Sequence, residues 1–243
     1  MSQAVSVSVV VPVKDEAGNV APLAREIAAA LLNEPGYEMI FVDDGSADGT
    51  ANELLALRPA LPVRVLVHAR NLGQSRALRT GIRAARAGLI VTLDGDGQND
   101  PADIPKLLEA YRAAAGDPKF AMVAGERVKR RDTWRKRAAS RLANSLRRTL
   151  LGDNASDTGC GLKVFRRDAF LALPYFDHMH RYLITLMLRE GFGLRFVPVG
   201  HRPRGKGSSK YGVIDRAVVG VRDLMGVMWL KRRFRGPAET KEL

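Results

Sequence analysis

Asp94 and Asp96, separated by one glycine, stand at the end of the apolar run Leu89–Leu93. That run is too short and too β-branched for a helix and reads as a buried strand. In extended backbone, residues i and i+2 point the same way, so the spacing predicts that both carboxylates aim at one spot. Asp100-Pro101 follows, a capping residue and a first-turn proline, so a helix is expected directly behind the acids. Strand, acidic tip and helix together mark the place where open α/β sheets hold ligands. Two hard oxygen ligands suit Mg2+ or Mn2+ bound mainly through a substrate's phosphates. An Asp-x-Asp pair alone also fits a plain polar turn, so the surrounding elements must carry the reading.

Those elements alternate. Strands are expected over Val5–Val13, Glu38–Val42, Val63–Val67, Leu89–Leu93 and Phe120–Gly125. Helical patterns fall between them, over Asn19–Leu32, Asp48–Leu57, from Gly73 to about Arg86, and over Asp100–Ala115. This β-α repetition implies a mostly parallel sheet with crossover helices. Three strand ends carry polar tips that would gather on one edge: Pro12 to Glu16, Asp43-Asp44-Gly45-Ser46, and Asp94-Gly95-Asp96. The first tip lacks the G-x-G-x-x-G of dinucleotide folds. Gly200 to Gly207 misses a P-loop because Gly207 stands where Ser or Thr would bind metal.

The chain has 243 residues, 46% hydrophobic and 27% charged, enough for a substantial soluble core. Its single cysteine, Cys160, excludes an internal disulfide and fits a reducing compartment. No signal-peptide pattern opens the sequence, and Ala217–Leu230 is too short and too interrupted by charge to span a bilayer. The net charge of +13 is uneven: through Glu126 there are 12 basic and 16 acidic residues. Arg127–Arg148 then carries 10 basic residues and one acid, and His201–Gly236 carries 10 and two. Two such patches attract phosphates on lipids, nucleotides or nucleic acid.

Val10-Val-Pro-Val-Lys-Asp-Glu16, Phe41-Val-Asp-Asp-Gly-Ser-Ala-Asp-Gly-Thr50, Asn71-Leu-Gly-Gln-Ser-Arg-Ala-Leu78 and Leu93-Asp-Gly-Asp-Gly-Gln-Asn-Asp-Pro101 together resemble the family 2 glycosyltransferases of GT-A fold. Asp157 to Arg166 and His201 to Gly212 look like the dolichol-phosphate mannosyltransferase branch. The resemblance implies an α/β GT-A catalytic domain over residues 1–210, and it places Pro12, Glu16, Asp43, Asp44 and Asp94 around a nucleotide-sugar. It further implies that Asp94, Asp96 and Gln98 hold the metal and that Asp96, Arg204 and Lys210 serve catalysis. Arg127, Arg135, Lys136, Arg137, Ser140 and Arg204 fall where the family holds the acceptor phosphate. Lys136 stands where the family usually has Arg, and Arg135 or Arg137 is the substitute. The implied activity is inverting transfer of a hexose, with mannose from GDP-mannose the leading choice, to a polyprenyl phosphate such as dolichyl or undecaprenyl phosphate. That acceptor is mostly dianionic at pH 7, its second pKa being about 6, and needs no strong general base.

Residues 211–243 form a separate expectation: an amphipathic basic helix and tail without a transmembrane span. Val218, Val221, Met225, Met228 and Trp229 recur at three- and four-residue steps before Lys231-Arg-Arg-Phe-Arg235, which suits an anionic membrane surface or packing on the chain's own sheet. The partners expected are therefore donor, lipid acceptor, a membrane surface on its cytoplasmic face, and a membrane protein if access is indirect. The histidines lack metal-ligand spacing; His178 and His180 are expected to cap or pack, Cys160 to be buried, and the Met225, Met228 and Trp229 cluster to be core. A saccharide acceptor is the rival within the class, without the Gln-x-x-Arg-Trp of polysaccharide synthases. A nucleic-acid binder is the rival outside it; with 6% aromatics the chain lacks a stacking platform.

Overall fold

The structure, a computed structural model, describes residues 4–127, 150–153, 157–203 and 213–236. Strands β1 (Val7–Val13), β2 (Tyr37–Asp43), β3 (Val63–Val67) and β4 (Leu89–Thr92) alternate with helices α1 (Val20–Ala30), α2 (Thr50–Ala56) and α3 (Gln74–Ala84). A 3-10 turn over Pro101–Asp103 leads into α4 (Ile104–Arg112), then β5 (Phe120–Arg127). The second half holds β6 (Lys163–Arg166), α5 (Arg167–Ala172), a 3-10 turn at Met179–Tyr182, α6 (Leu183–Arg189), β7 (Gly193–Val199) and α7 (Val213–Arg233).

The seven strands form one sheet in the order β3-β2-β1-β4-β6-β5-β7, with β6 antiparallel to both neighbours and the other pairings parallel. Strand alternation divides the core between its faces. Val7, Val9, Val11 and Val13 of β1, with Met39 and Phe41 of β2, pack with Leu23 and Ile27 of α1 and Leu107 of α4. Val10, Ile40 and Val42 point the other way, against Ala77 and Ile82 of α3 and Phe165 and Phe170. A strand buried on both faces reads as a nearly continuous apolar run, broken here only by Ser8 in β1 and Glu38 in β2, which bond each other, and this is why β1 and β2 were legible.

The connections leave β1 toward β2 and β3, then return to place β4 on its other side. This reversal is a topological switch point, and the crevice beyond it lies between the carboxyl ends of β1 and β4. Pro12 helps to open it. The Val13 carbonyl accepts from Asp44 N at 2.9 Å, so Val13 faces β2 and Pro12, one residue earlier, faces the β4 side. The β1–β4 ladder has already ended at Val10 and Thr92, so the missing N–H of Pro12 costs no ladder bond.

Candidate active site

The crevice is a cleft of about 490 Å³. Its outer end is lined by Pro12, Val13, Lys14 and Glu16 after β1, by Asp44, and by Asn71, Gly73 and Gln74 at the start of α3. Asp94, Gly95 and Asp96 form the middle, and Lys163, His180 and apolar side chains close the inner end. The volume suits a small-molecule ligand.

Both expected acids reach this cleft, by a different route from the one the spacing suggested. β4 ends at Thr92, and Asp94–Gln98 is a turn rather than extended strand. The turn is held internally: Asp94 N donates to Asn99 Oδ1 at 3.0 Å and Gln98 N to Asp96 Oδ1 at 3.1 Å. Asp100 caps the helical turn behind it, accepting from Ala102 N at 3.0 Å. Gly95 lies so close to β1 that a Cβ would meet Val13 Cγ1 at 2.6 Å and the Pro12 carbonyl at 2.9 Å. On the far side Gly161 backs the first acid, where a Cβ would sit 2.4 Å from Asp94 Oδ2. Two glycines therefore let the acids lie between β1 and the turn that precedes β6.

Gln74 Nε2 donates to Asp94 Oδ1 at 2.8 Å, tying α3 to the acid tip. Burial raises the Asp94 carboxyl above the ordinary aspartate range, with the neighbouring Asp96 adding to the shift and Lys163, Gln74 and Arg127 opposing it. Burial likewise pulls the Lys163 ammonium down, while Cys160, Asp94 and Asp157 hold it up. Two carboxylates crowding one turn form a donor set that a divalent cation would relieve. Among the described residues no three His, Cys, Asp or Glu side chains are grouped to hold a metal ion by themselves. The donor set thus fits a hard cation completing its shell from ligand oxygens, as Mg2+ and Mn2+ do on phosphates.

Asp44 binds the loop that borders the cleft: Leu72 N and Gly73 N donate to its oxygens at 2.9 and 2.7 Å, and His68 Nδ1 lies 2.7 Å away. Asp43 is not part of the cleft lining; it is almost fully buried and accepts from Ser46 N at 2.8 Å within its own turn. Gln98 stands beside Asp96, yet it does not line the cleft; its carbonyl accepts from Arg202 N at 2.9 Å. Arg127 is also outside the lining, with Nε and Nη2 on Asp157 at 2.6 and 2.8 Å, and this hydrogen bonding raises its pKa. The remaining expected acceptor and catalytic residues, Arg135, Lys136, Arg137, Ser140, Arg204 and Lys210, lie outside the described residues.

Three lining residues were missed by the sequence reading or assigned otherwise. Gln74 lay inside a quoted motif without a role. Lys163 is 5% exposed at the start of β6, a four-residue strand with a charge at each end, which gives no hint that its lysine lines a cleft. His180 was expected to cap or pack; it lines the cleft, with Nδ1 2.8 Å from Ser75 Oγ. Burial, with Arg181 and Lys163 adding to it, lowers the His180 pKa to about 3, so the ring is neutral at working pH. Cys160 is fully buried, as expected.

Helix α7 corrects a further expectation. Val227 is fully buried, and Leu224, Met228 and Leu230 pack on the α3 side of the sheet. Met225 and Trp229, expected in the core, are 60% and 58% exposed and continue a stripe begun by Val221 at 58%. Tyr182 Oη donates to the Gly220 carbonyl at 3.2 Å, and Arg189 Nε to that of Leu230 at 3.1 Å, so the helix is docked along its other face. Among the described residues no helix is long and apolar enough to cross a membrane.

Residues 8–173 match the family model described as Glycosyl transferase family 2. A dodecaprenyl-phosphate galacturonate synthase of Rhizobium johnstonii is 35% identical over 95% of the chain and 68% of its own length. An undecaprenyl-phosphate 4-deoxy-4-formamido-L-arabinose transferase of Edwardsiella ictaluri is 38% identical over 86% of the chain and 63% of its own length. The chain thus spans about two thirds of these relatives. Among solved structures, mannosyl-3-phosphoglycerate synthase from Rubrobacter xylanophilus superposes with a TM-score of 0.71 at 20% identity, covering 95% of this chain and 76% of that one. Glucosyl-3-phosphoglycerate synthase from Mycobacterium tuberculosis, solved with Mn2+ and UDP-glucose, gives 0.67 at 19% identity, covering 98% and 81%. A seven-stranded sheet split at its switch point, an acidic turn in that split and a family match over most of the length make this chain a family 2 glycosyltransferase of GT-A fold.

Proposed function

We propose that the chain transfers a sugar from a nucleotide-sugar to a polyprenyl phosphate. The observation that carries this reading is the acid pair Asp94 and Asp96 in a cleft at the switch point, in a chain whose relatives are named for sugar transfer to polyprenyl phosphates. The nucleotide lies toward Pro12, Glu16 and Asp44, and its diphosphate lies at the acids. When bound there by Asp94 and Asp96, Mg2+ or Mn2+ supplies Lewis-acid stabilisation of the leaving diphosphate. Gln74 keeps Asp94 oriented, and Asp44 fixes the Leu72–Gly73 wall. The acceptor phosphate oxygen forms a bond to the anomeric carbon as the bond to the nucleoside diphosphate breaks, inverting that centre. No proton need move, because the acceptor is mostly dianionic near pH 7. Arg127, Arg135, Lys136, Arg137, Ser140 and Arg204 remain the proposed acceptor-phosphate residues, with Arg204 and Lys210 closing over the site.

The expectation of mannose from GDP-mannose draws no support from the relatives, whose names carry galacturonate and 4-deoxy-4-formamido-L-arabinose. Both those sugars bear an exocyclic carbonyl oxygen. The exposed Val221, Met225 and Trp229 stripe beside Arg222, Arg232 and Arg233 supports a peripheral seat on an anionic membrane surface, where a lipid acceptor is met. The test is transfer of label from a panel of nucleotide-sugars to undecaprenyl phosphate with Mn2+ or Mg2+. The reading requires a solvent-extractable lipid-linked sugar from at least one donor; label found only on water-soluble saccharide would replace it with the rival acceptor class.

A further inference from the structure

The inner end of the cleft is walled by Ala77, Leu78, Phe165, Phe170 and Leu183, and two polar side chains enter it, His180 and Lys163. The hydrogen bonds around Ser75 define which hydrogen His180 offers. Ser75 is buried and its Oγ accepts from His180 N at 3.3 Å. Among the described residues, the acceptor in reach of its own proton is Nδ1 of His180 at 2.8 Å. A buried hydroxyl that can donate does so, and Nδ1 therefore carries no hydrogen. The network assigns the ring proton to Nε2, which has no protein partner among the described residues and belongs to a side chain lining the cleft. Lys163 sends one N–H to the Cys160 carbonyl, and Thr92 Oγ1 donates to that of Gly161, leaving no hydroxyl proton there to spare. Lys163 and His180 are close enough to influence each other electrostatically. The end beyond the acids therefore presents hydrogen-bond donors against apolar walls.

We propose that His180 and Lys163 form a specificity subsite for a carboxylate on the transferred sugar, which makes a uronic acid nucleotide the donor class. The inference rests on the nucleotide-sugar reading, since it is the diphosphate at Asp94 and Asp96 that directs the sugar inward. Two N–H donors lining one cleft of low dielectric suit the two oxygens of a carboxylate. The corresponding hydroxymethyl sugar brings a single oxygen and no charge, so it offers Lys163 and His180 one neutral acceptor where a carboxylate offers two charged ones. Ser75 acts as a positioning residue, fixing the His180 tautomer.

The experiment is calorimetry on the full chain with Mn2+, titrating UDP, UDP-galacturonate and UDP-galactose, then GDP, GDP-mannuronate and GDP-mannose. On the base that is bound, the uronate nucleotide is expected to bind at least about tenfold more tightly than its hexose counterpart, the ordinary yield of one charged hydrogen bond. Lys163→Met and His180→Phe should each erase most of the uronate-to-hexose ratio, read within each variant because Lys163 also acts on Asp94; their fold is checked by urea denaturation, and a ratio kept in both folded variants overturns the subsite. Nucleotide binding with equal affinity for uronate and hexose overturns the subsite and leaves the transferase reading standing. Failure of all six ligands to bind wild-type protein overturns both. Should the variants not fold, the wild-type ratio alone decides.

Discussion

Gly161→Ala adds one methyl group where the structure has no room for it. The new Cβ would lie 2.4 Å from Asp94 Oδ2, 2.5 Å from its Cγ and 2.7 Å from Asn99 Oδ1. Ordinary carbon contacts start near 3.5 Å, so the Asp94 carboxylate must retreat by roughly 1 Å. That movement strains the 2.8 Å bond from Gln74 and the 3.0 Å bond from Asp94 N to Asn99, the two that set the acid's direction. A displacement of about 1 Å at a reacting centre costs on the order of 10²-fold in rate, equivalent to about 2.7 kcal/mol of barrier. The stability cost is that of local overpacking, about 1–3 kcal/mol. Initial rates of sugar transfer to undecaprenyl phosphate, read beside urea denaturation, separate the two. The expected result is a folded protein with transfer reduced about a hundredfold. A folded Gly161→Ala protein with wild-type turnover would refute the argument that Asp94 must stay where it is.

Asp157→Ala strips the bidentate partner from Arg127, both side chains being largely buried, and should lower stability by about 3 kcal/mol in urea denaturation; an unchanged midpoint would mean water already satisfies the guanidinium. His180 makes a pH prediction of definite sign. The unfolded chain takes up its proton near 6.5 and the folded chain only near 3, so its contribution is complete above pH 6.5 and is lost as the pH falls from there toward 3. The loss is at most about 1.4 kcal/mol per pH unit, so the stability difference between wild type and His180→Phe should shrink from pH 7 to pH 5; parallel curves would contradict it. Replacing Met225 and Trp229 by Ser should leave stability within about 0.5 kcal/mol, since both are exposed, and should weaken sedimentation with anionic vesicles several-fold. Unchanged vesicle binding would remove the stripe from the membrane reading.

The first half of the fold was legible because its strands are buried on both faces and its punctuation is local. β1, β2 and β4 are mostly apolar and rich in Val and Ile, each followed by a polar tip, and the tips meet where the chain order reverses. Asp94 and Asp96 were placed correctly for an imperfect reason, since a turn and two close-approach glycines, rather than strand alternation, bring them together. The second half gave weaker signals. β6 is four residues long with Lys163 at one end and Arg166 at the other, and β7 carries Arg195 and Pro198, so neither shows an apolar run. His180 and Ser75 are 105 residues apart, and nothing local in either segment announces their hydrogen bond. On α7 the periodicity was real, but it served two faces: Leu224, Val227 and Met228 pack inward while Val221, Met225 and Trp229 face out. A single count of apolar steps could not divide them.

The most direct measurement is the initial rate of labelled sugar transfer to undecaprenyl phosphate, run with Mn2+, with EDTA, and with Asp96→Asn in place of the wild type. Lipid-linked product should form with Mn2+, disappear in EDTA and return when the metal is restored; Asp96→Asn should remain folded and nearly inactive at every metal concentration. Equal product in EDTA, or full turnover by Asp96→Asn, would contradict the claim that the acidic turn holds the donor's diphosphate through a cation.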